Sequence, residues 1–408
     1  VELVRIIVQK FGGSSLSSPE KRLQAVNKVI AAKKEGYSCV VVVSAMGRKG
    51  DPYATDTLID LLKEIHPEIK VRELDMLLNC GEIISAVVIS QLFNKLGHET
   101  IVLNGAQAGI ITDNVFTEAR ILQVKPERII KSLEENKIVI VPGFQGITET
   151  GELTTLGRGG SDTTAAALGV ALEAEYIDIF TDVDGIKTAD PRIVEEAKTL
   201  DVVTYTEICN LAHQGAKVIH PRAVEIAMQK NIPLRIRSTF EETPGTLVTN
   251  LGHANKVEIP NDRIITGITQ VPNITQLKIN LNAKENGKKL NLKIFRALAL
   301  ANISVDFINI YPEEAIFTVK DEDTEKAVKI LQNMGLEVFT TPDCAKISVV
   351  GANMAGVPGV MATIVEALTE ENIEIMQTAD SHTTIWCLVR KNDMEKAVKV
   401  LHKRFKLG

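Results

Sequence analysis

An α/β domain with a mostly parallel sheet between helix layers, followed by two copies of a smaller α+β module, is the architecture this sequence predicts. Three observations lead there. Over the first 250 or so of the 408 residues, β-like runs alternate with helix-like ones. Two of the β-like runs, Val40 to Val43 and Ile138 to Val141, are wholly apolar, as central parallel strands are. After about Asn250 the text repeats itself. Glu325 to Leu331 recurs as Glu395 to Leu401, and Ala297-Leu298 with Asn302-Ile303 recurs as Ala367-Leu368 with Asn372-Ile373, both at an offset of 70.

The elements follow in order. Ile6 to Gln9 opens as a strand and ends in the turn Gly12-Gly13. A helix follows, with Ser18 as N-cap, Pro19 at the first helical position, and Leu23, Val26 and Ile30 on one face. Cys39 to Val43 is a buried strand closing at Ser44, and Leu74 to Leu96 reads as a long helix interrupted by Gly81. Ile138 to Val141 is capped by Pro142-Gly143, and Ile147 to Leu156 reads as a hairpin around Thr150-Gly151. Ser161 to Leu172 is an alanine-rich helix, and Tyr176 to Phe180 a strand leading into Thr181-Asp182. Residues 251–262 read as a linker between a domain at 1–250 and two modules at 263–343 and 344–408. Each module reads strand, helix, strand, strand, helix with a closing strand, the ferredoxin-like split βαβ plan. The strands are Leu277 to Leu281, Ser304 to Ile310 and Ala315 to Val319 in one copy. In the other they are Ala345 to Val350, Glu374 to Gln377 and Thr384 to Val389.

Composition narrows the function. With 46 basic against 52 acidic residues the net charge is -6, which removes the electrostatic attraction a nucleic-acid-coating or basic membrane-surface protein needs. Seventeen aromatic residues are too few for extended base stacking. The apolar runs are strand-sized, so no bilayer span is expected. The first residues lack a secretory leader's pattern. Five cysteines, odd in number and never spaced C-x-x-C, fit a reducing compartment, so the expected location is the cytoplasm.

Three polar clusters sit at strand ends, where open α/β sheets hold their ligands. In Lys10-Phe11-Gly12-Gly13-Ser14-Ser15, two glycines let backbone N–H groups face a polyanion and Lys10 can set an ammonium on its oxygens. A plain strand-to-helix turn is the alternative. In Gly157-Arg158-Gly159-Gly160-Ser161-Asp162, Ser161 and Asp162 open a helix whose N-terminus favours an anion. Arg158 can fork onto a carboxylate, and Asp162 can pair with an ammonium. Three glycines around an arginine exceed what an N-cap needs. Thr181-Asp182-Val183-Asp184-Gly185 follows a strand as well, and there the turn reading is the simpler one. Glu82 beside Gly81 either meets a substrate ammonium or reaches solvent. Ser44 closes a central strand, and Lys217 is either a phosphate ligand or a surface lysine. Walker, dinucleotide and protein-kinase motifs are missing, and the seven histidines lack metal-ligand spacing. Two lysines, an arginine, glycine turns and acidic loops together point to phosphoryl transfer by positioning and charge neutralisation.

These phrases resemble the aspartokinases, whose motifs read K-F-G-G-[TS]-S, G-R-G-G-S-D and [ST]-D-V-D-G, and the doubled tail resembles their pair of ACT domains. The resemblance spans the chain. It implies an open αβα sandwich of the amino-acid-kinase fold followed by two ferredoxin-like ACT domains. The implied reaction is transfer of the ATP γ-phosphate to the β-carboxylate of L-aspartate, feeding lysine, diaminopimelate, threonine and methionine synthesis. By resemblance, Lys10 would stabilise the transferring group and Asp162 would organise the lysines. Arg158 and Ser161 would hold the substrate's carboxylate end and Glu82 its ammonium. Gly12, Gly13, Ser14, Ser44, Thr181, Asp182 and Lys217 would line the nucleotide, with Mg²⁺ carried on the phosphates and no metal held by the protein itself. Asp306, Asn309, Met354, Gly356 and Val357 would face an amino-acid effector, in a homodimer or larger homo-oligomer. The lysine-sensitive relatives' D-K-P-G turn is replaced by Asn282-Ala283-Lys284-Glu285-Asn286-Gly287. Ser44 to Tyr53 and Ala379 to Trp386 resemble the diaminopimelate-sensitive type, so diaminopimelate is the expected effector. A catalytically idle amino-acid sensor is the alternative, and the presence of Lys10, Glu82, Arg158 and Asp162 argues against it.

Overall fold

The computed structural model describes residues 5–216, 218–250, 264–281, 287–352, 354 and 356–408. These divide into two compact units. The first runs β1 (Ile6–Phe11), α1 (Pro19–Lys34), β2 (Ser38–Val43), α2 (Thr55–Ile65), α3 (Val71–Lys95), β3 (Thr100–Val102), β4 (Ile110–Thr112), β5 (Ile121–Val124) and α4 (Glu127–Glu134). It continues with β6 (Ile138–Pro142), β7 (Gln145–Thr148), β8 (Leu153–Thr155), α5 (Gly160–Ala171), β9 (Tyr176–Thr181), β10 (Val202–Thr204), α6 (Tyr205–His213), α7 (Pro221–Gln229), β11 (Leu234–Ser238) and β12 (Thr246–Thr249).

Eight strands form the main sheet in the order β10-β12-β11-β9-β1-β2-β6-β3, parallel except where β12 runs against β11. On one face, Ile7, Phe11, Cys39, Val41 and Val43 pack with Val26 and Val29 of α1 and with Ala86, Ile89 and Phe93 of α3. The alternate positions Val8, Val40 and Val42 are equally buried, on the face opposite by the two-residue period of a strand. Strand β1 lies between β2 and β9, so the chain leaves it in one direction and returns on the other side. Ligands bind at the carboxyl ends of strands at such a point. A four-stranded sheet, β5-β4-β7-β8, carries the expected hairpin. The cap on α1 is also as expected, with the Lys21 N–H donating to Ser18 Oγ (3.3 Å) ahead of Pro19.

Two expectations for this unit change. Gly81 does not interrupt α3, which runs unbroken through it. The fit around the glycine is tight, since a Cβ there would come within 3.1 Å of Ala45 Cβ and of the Tyr53 carbonyl. Nor are all the apolar runs strand-sized, since α3 is long and apolar enough to cross a membrane. It is a core helix nonetheless, because Asp75, Asn79, Glu82 and Ser85 are buried along it at helical spacing against the rest of the unit.

The second unit contains β13 (Gly267–Asn280), α8 (Gly287–Leu300), β14 (Asp306–Ile310), β15 (Glu314–Lys320), α9 (Asp321–Asn333), β16 (Val338–Val350), α10 (Val360–Glu370), β17 (Gln377–Asp380), β18 (Thr384–Arg390) and α11 (Met394–Arg404). Its sheet runs β14-β15-β13-β16-β18-β17. Strand β16 runs through the boundary expected at 343/344, and the two modules interleave in sequence. Strand β13 pairs with β16 on both sides of an irregularity near Asn273, whose φ is 62°, and gains β15 as a second partner beyond it. Before it, Gly267 to Val271 pair with Lys346 to Val350. After it, Ile274 to Asn280 pair with Glu314 to Lys320 of the first module. Ile265 and Ile268 accordingly lie in the core of the second module, among Ile347, Val349, Ile364 and Leu401. So do Ala189, Ile193, Val194 and Ala197, because Lys187–Lys198 and His213–Ala216 belong to this unit and not to the first. The strand expected over Glu374 to Gln377 begins only at Gln377. The linker 251–262, residues 282–286 and Lys217 lie outside the described residues.

Candidate active site

The site is built where β1, β2 and β9 end. Strand β1 delivers Lys10, which is nearly buried. Its Nζ lies 2.6 Å from Asp162 Oδ1 in the first turn of α5, and both side chains are about one-tenth exposed. Asp162 Oδ2 also accepts from the His220 N–H (3.3 Å) just ahead of α7. A short 3₁₀ turn, Gly13–Leu16, follows β1. It rests on the loop after β2, with the Gly47 N–H donating to the Gly13 carbonyl (3.1 Å) and the Ser44 N–H to that of Phe11 (3.1 Å). A Cβ on Gly13 would sit 2.4 Å from the Ala45 carbonyl oxygen and 2.8 Å from that of Gly47. Both are backbone atoms that cannot move aside. Gly13→Ala is therefore expected to cost about 1–3 kcal/mol of stability by overpacking and to weaken ATP binding as the loops part. Thermal unfolding and ATP titration check this, and an unchanged midpoint with unchanged ATP affinity would reject it.

Glu82 points from the middle of α3 to the same end of the sheet. It is 3% exposed, and its Oε1 accepts from the Ala45 N–H at 3.2 Å. Its Oε2 has no protein partner among the described residues. Burial pushes the carboxyl up to about 8, only partly offset by backbone N–H donors. About two turns earlier on α3, Asp75 is fully buried. It accepts from the N–H of Thr117 (2.9 Å) and from the N–H and hydroxyl of Thr155 (2.9 and 2.7 Å). Thr155 lies two residues before Gly157-Arg158, so one helix carries Glu82 and also anchors the strand leading to Arg158. Arg158 itself is exposed and makes no ion pair among the described residues, so its guanidinium is open to a ligand. Gly159 has φ 70°, and a Cβ there would strike the His220 ring at 2.3 Å. Ser161 is buried against Gly143, which has no room for a side chain (2.7 Å to Ser161 Oγ).

On the β9 side, the Thr181 hydroxyl donates to Asp182 Oδ1 (3.2 Å), and Asp182 Oδ2 pairs with Arg48 (2.8 Å). The Thr199 hydroxyl donates to Asp184 Oδ2 (2.9 Å). These loops are thus cross-linked. Among the described residues, no three His, Cys, Asp or Glu side chains converge as a metal cage.

The structure brings Lys10, Gly12, Gly13, Ser44, Glu82, Ser161 and Asp162 to one end of the sheet, with Thr181 and Asp182 beside them through Arg48. Sequence reasoning missed Arg48, His220 and Asp75. His220-Pro221 was a readable N-cap signal, whereas Asp75 looked like an ordinary polar position on a helix.

The comparisons agree with this geometry. Residues 5–238 match the amino acid kinase family, and residues 340–403 match the ACT domain. Aspartokinase 1 of Bacillus subtilis is 54% identical over 406 residues, spanning 99% of this chain and all of that one. The chain belongs to the aspartokinase family. An aspartokinase of Bacillus sp. strain MGA3 is 41% identical over 415 residues, spanning 99% of this chain and 98% of that one. Among solved structures, E. coli aspartokinase III in complex with aspartate and ADP superposes with a TM-score of 0.79 at 25% identity, covering 98% and 99% of the two chains. The aspartokinase fold is thus an amino-acid-kinase unit followed by ACT modules, as expected.

The second unit of this aspartokinase has a pocket of its own, 660 Å³ in volume, at the start of α10 and the β17–β18 turn. Met354, Gly356, Val357, Asp380, Ser381 and His382 line it. Three of the five expected effector residues are there. Asp306 and Asn309 lie elsewhere in the unit, Asp306 paired with the nearly buried Lys346 and Asn309 meeting Gln377. Gln377 on edge strand β17 also donates to the Phe307 carbonyl (2.5 Å) on edge strand β14.

Proposed function

We infer that this site transfers the γ-phosphoryl group of ATP to the β-carboxylate of L-aspartate. The observation carrying the reading is the Lys10–Asp162 pair, which sets an ammonium between the glycine turn after β1 and the N-terminus of α5. Backbone N–H groups of the turn and the helix end favour phosphate oxygens, and Lys10 meets the charge that grows on the transferring group. Glu82 takes the aspartate ammonium, and Arg158 with Ser161 takes its α-carboxylate. The acceptor is already a carboxylate, so the site has no need of a strong general base. Asp182 is engaged by Arg48 and Thr181, which fits a Mg²⁺ held by phosphates and water rather than by a protein cage. When bound, that ion screens phosphate charge. The nucleotide-side roles of Gly12, Gly13, Ser14, Ser44, Thr181, Asp182 and Lys217 belong to the same reading.

The effector is diaminopimelate, taken in the pocket at Met354, Gly356 and Val357, in a homodimer joined through the ACT modules. Control requires the effector to prefer one of two global states. A soluble, cytoplasmic setting fits a kinase of metabolite-sized substrates. The test is ATP consumption with aspartate, glutamate or acetylglutamate as acceptor, repeated with diaminopimelate, lysine and threonine. Turnover only with aspartate is expected, inhibited by diaminopimelate. ATP consumption that ignores aspartate would sink the kinase reading. Inhibition by lysine where diaminopimelate is silent would sink the effector assignment alone.

A further inference from the structure

The first unit holds a second cavity, separate from the strand-end site. It lies on the face of the sheet covered by α1, has a volume of 360 Å³, and has Gln9, Asp178, Arg235 and Arg237 in its lining. These residues are aligned by strand register. Gln9 on β1 is level with Asp178 on β9, which is level with Arg235 on β11, and Arg237 lies two residues further along β11. Asp178 is fully buried. It accepts from Arg235 at 2.6 and 3.0 Å and from Gln9 Nε2 at 3.0 Å, and Arg237 Nη1 stands 3.6 Å from it.

Two polar atoms here have no protein partner among the described residues, and their needs are opposite. Gln9 is 1% exposed. Its amide nitrogen is committed to Asp178, and its buried Oε1 accepts from none of the described residues. The buried Arg237 Nε–H likewise donates to none of them. Both side chains reach the same oxygen of Asp178, Gln9 through Nε2 and Arg237 through Nη1. Buried polar atoms left open cost stability unless something completes them. Ion pairing that served only to tie strands together would need Arg235 and Asp178 alone. The lining charges balance, Lys28, Arg235 and Arg237 against Glu35, Asp178 and Glu242, so the cavity selects against a net ion of either sign. Lys28 is already held by Glu242 (2.7 Å). Ile7, Ala31, Ala32 and Phe180 supply an apolar flank.

We propose that this cavity binds a small zwitterion of the free α-amino-acid class, its ammonium on Gln9 Oε1 and its carboxylate on Arg237 Nε–H. Ammonium and carboxylate on one carbon match a donor-seeking and an acceptor-seeking atom on two side chains that share one carboxylate oxygen. The apolar flank accepts the side chain. The site is independent of the ACT pocket and does not rest on the effector assigned above.

The test uses the full chain saturated with aspartate and ADP, so that the strand-end site is filled. The probes are ¹³C-labelled L-alanine, L-valine and L-glutamine, followed by NMR titration, with acetate and methylamine as half-molecules. Saturable binding of at least one amino acid is expected, with neither half-molecule competing at equal concentration. Gln9→Leu and Arg237→Gln should each weaken it at least tenfold. Should either variant fail to fold, Ala31→Phe fills the mouth from the exposed face of α1 and leaves the floor intact. It should abolish binding with kcat unchanged. No saturable binding by any probe, binding indifferent to Ala31→Phe, or a crystal soaked with the probes showing only water on Gln9 and Arg237 would overturn the proposal.

Discussion

Lys10→Ala is expected to lower kcat by about 10²- to 10³-fold while the Michaelis constants for ATP and aspartate move by roughly threefold or less. The ammonium stands 2.6 Å from Asp162 at the mouth of the glycine turn, nearly buried, where a charge acts more strongly than in water. Binding ATP and the transition state equally would raise affinity without raising kcat, so the role assigned to Lys10 requires the kcat-weighted loss. Removing Lys10 also strips Asp162 of its counter-charge. A stability loss of about 1–3 kcal/mol should accompany the kinetic one, so activity is to be measured well below the unfolding temperature. Lys10→Arg should rescue little, because a planar fork does not replace a compact ammonium between a turn and a carboxylate. A kcat within a few-fold of the parent protein would reduce Lys10 to a turn residue.

Glu82→Gln and Arg158→Ala should each raise the aspartate Michaelis constant roughly 10- to 100-fold, the worth of one hydrogen bond to a charged group, and spare ATP affinity. Glu82 adds a pH signature. Its carboxyl is held up to about 8 by burial, so the free protein carries it protonated at neutral pH. An arriving ammonium favours the carboxylate, and aspartate binding should therefore release a proton below about pH 8. Apparent aspartate affinity should rise with pH up to about 8 and level off above it, and Glu82→Gln should flatten the profile. For the free protein the sign is opposite. The native state keeps a proton that the unfolded chain has lost, so this group's contribution to stability declines as pH rises from about 4.5 to about 8. Calorimetry in buffers of different ionisation enthalpy reads the proton directly. A proton count of zero at pH 7, or equal loss of ATP affinity in the variants, would overturn the assignment.

What the sequence made legible was local. Glycines beside Lys10 and Arg158, the cap at Ser18 and the apolar strands are each written within a few residues, and they form as read. The repeat at an offset of 70 revealed two modules but could not reveal their interleaving. Periodicity within β13 is the same whichever partners each half takes, and only the added pairing with β15 separates Ile274 to Asn280 from Gly267 to Val271. The contacts of Arg48 with Asp182 and of Asp75 with Thr155 join residues 134 and 80 apart, and no short pattern announces them. Asp178 was hidden within a strand whose neighbours are apolar, where a lone carboxylate carries no label for its arginine partner.

The stretch Lys187–Lys198 has a consequence for how this enzyme can escape control. It lies only a few residues past Asp182 in the chain, yet its apolar residues Ala189, Ile193, Val194 and Ala197 are buried with Ile268, Ile347, Ile364 and Leu401. A premature stop after residue 250 would leave those four side chains without cover, an adhesive strip on an otherwise intact polypeptide. Shedding the tail would therefore yield insoluble protein rather than a deregulated catalyst. Nonsense and frameshift lesions in the last third of the gene would then be closed to mutants selected to overproduce, leaving single-residue changes, among them those at the effector pocket proposed above.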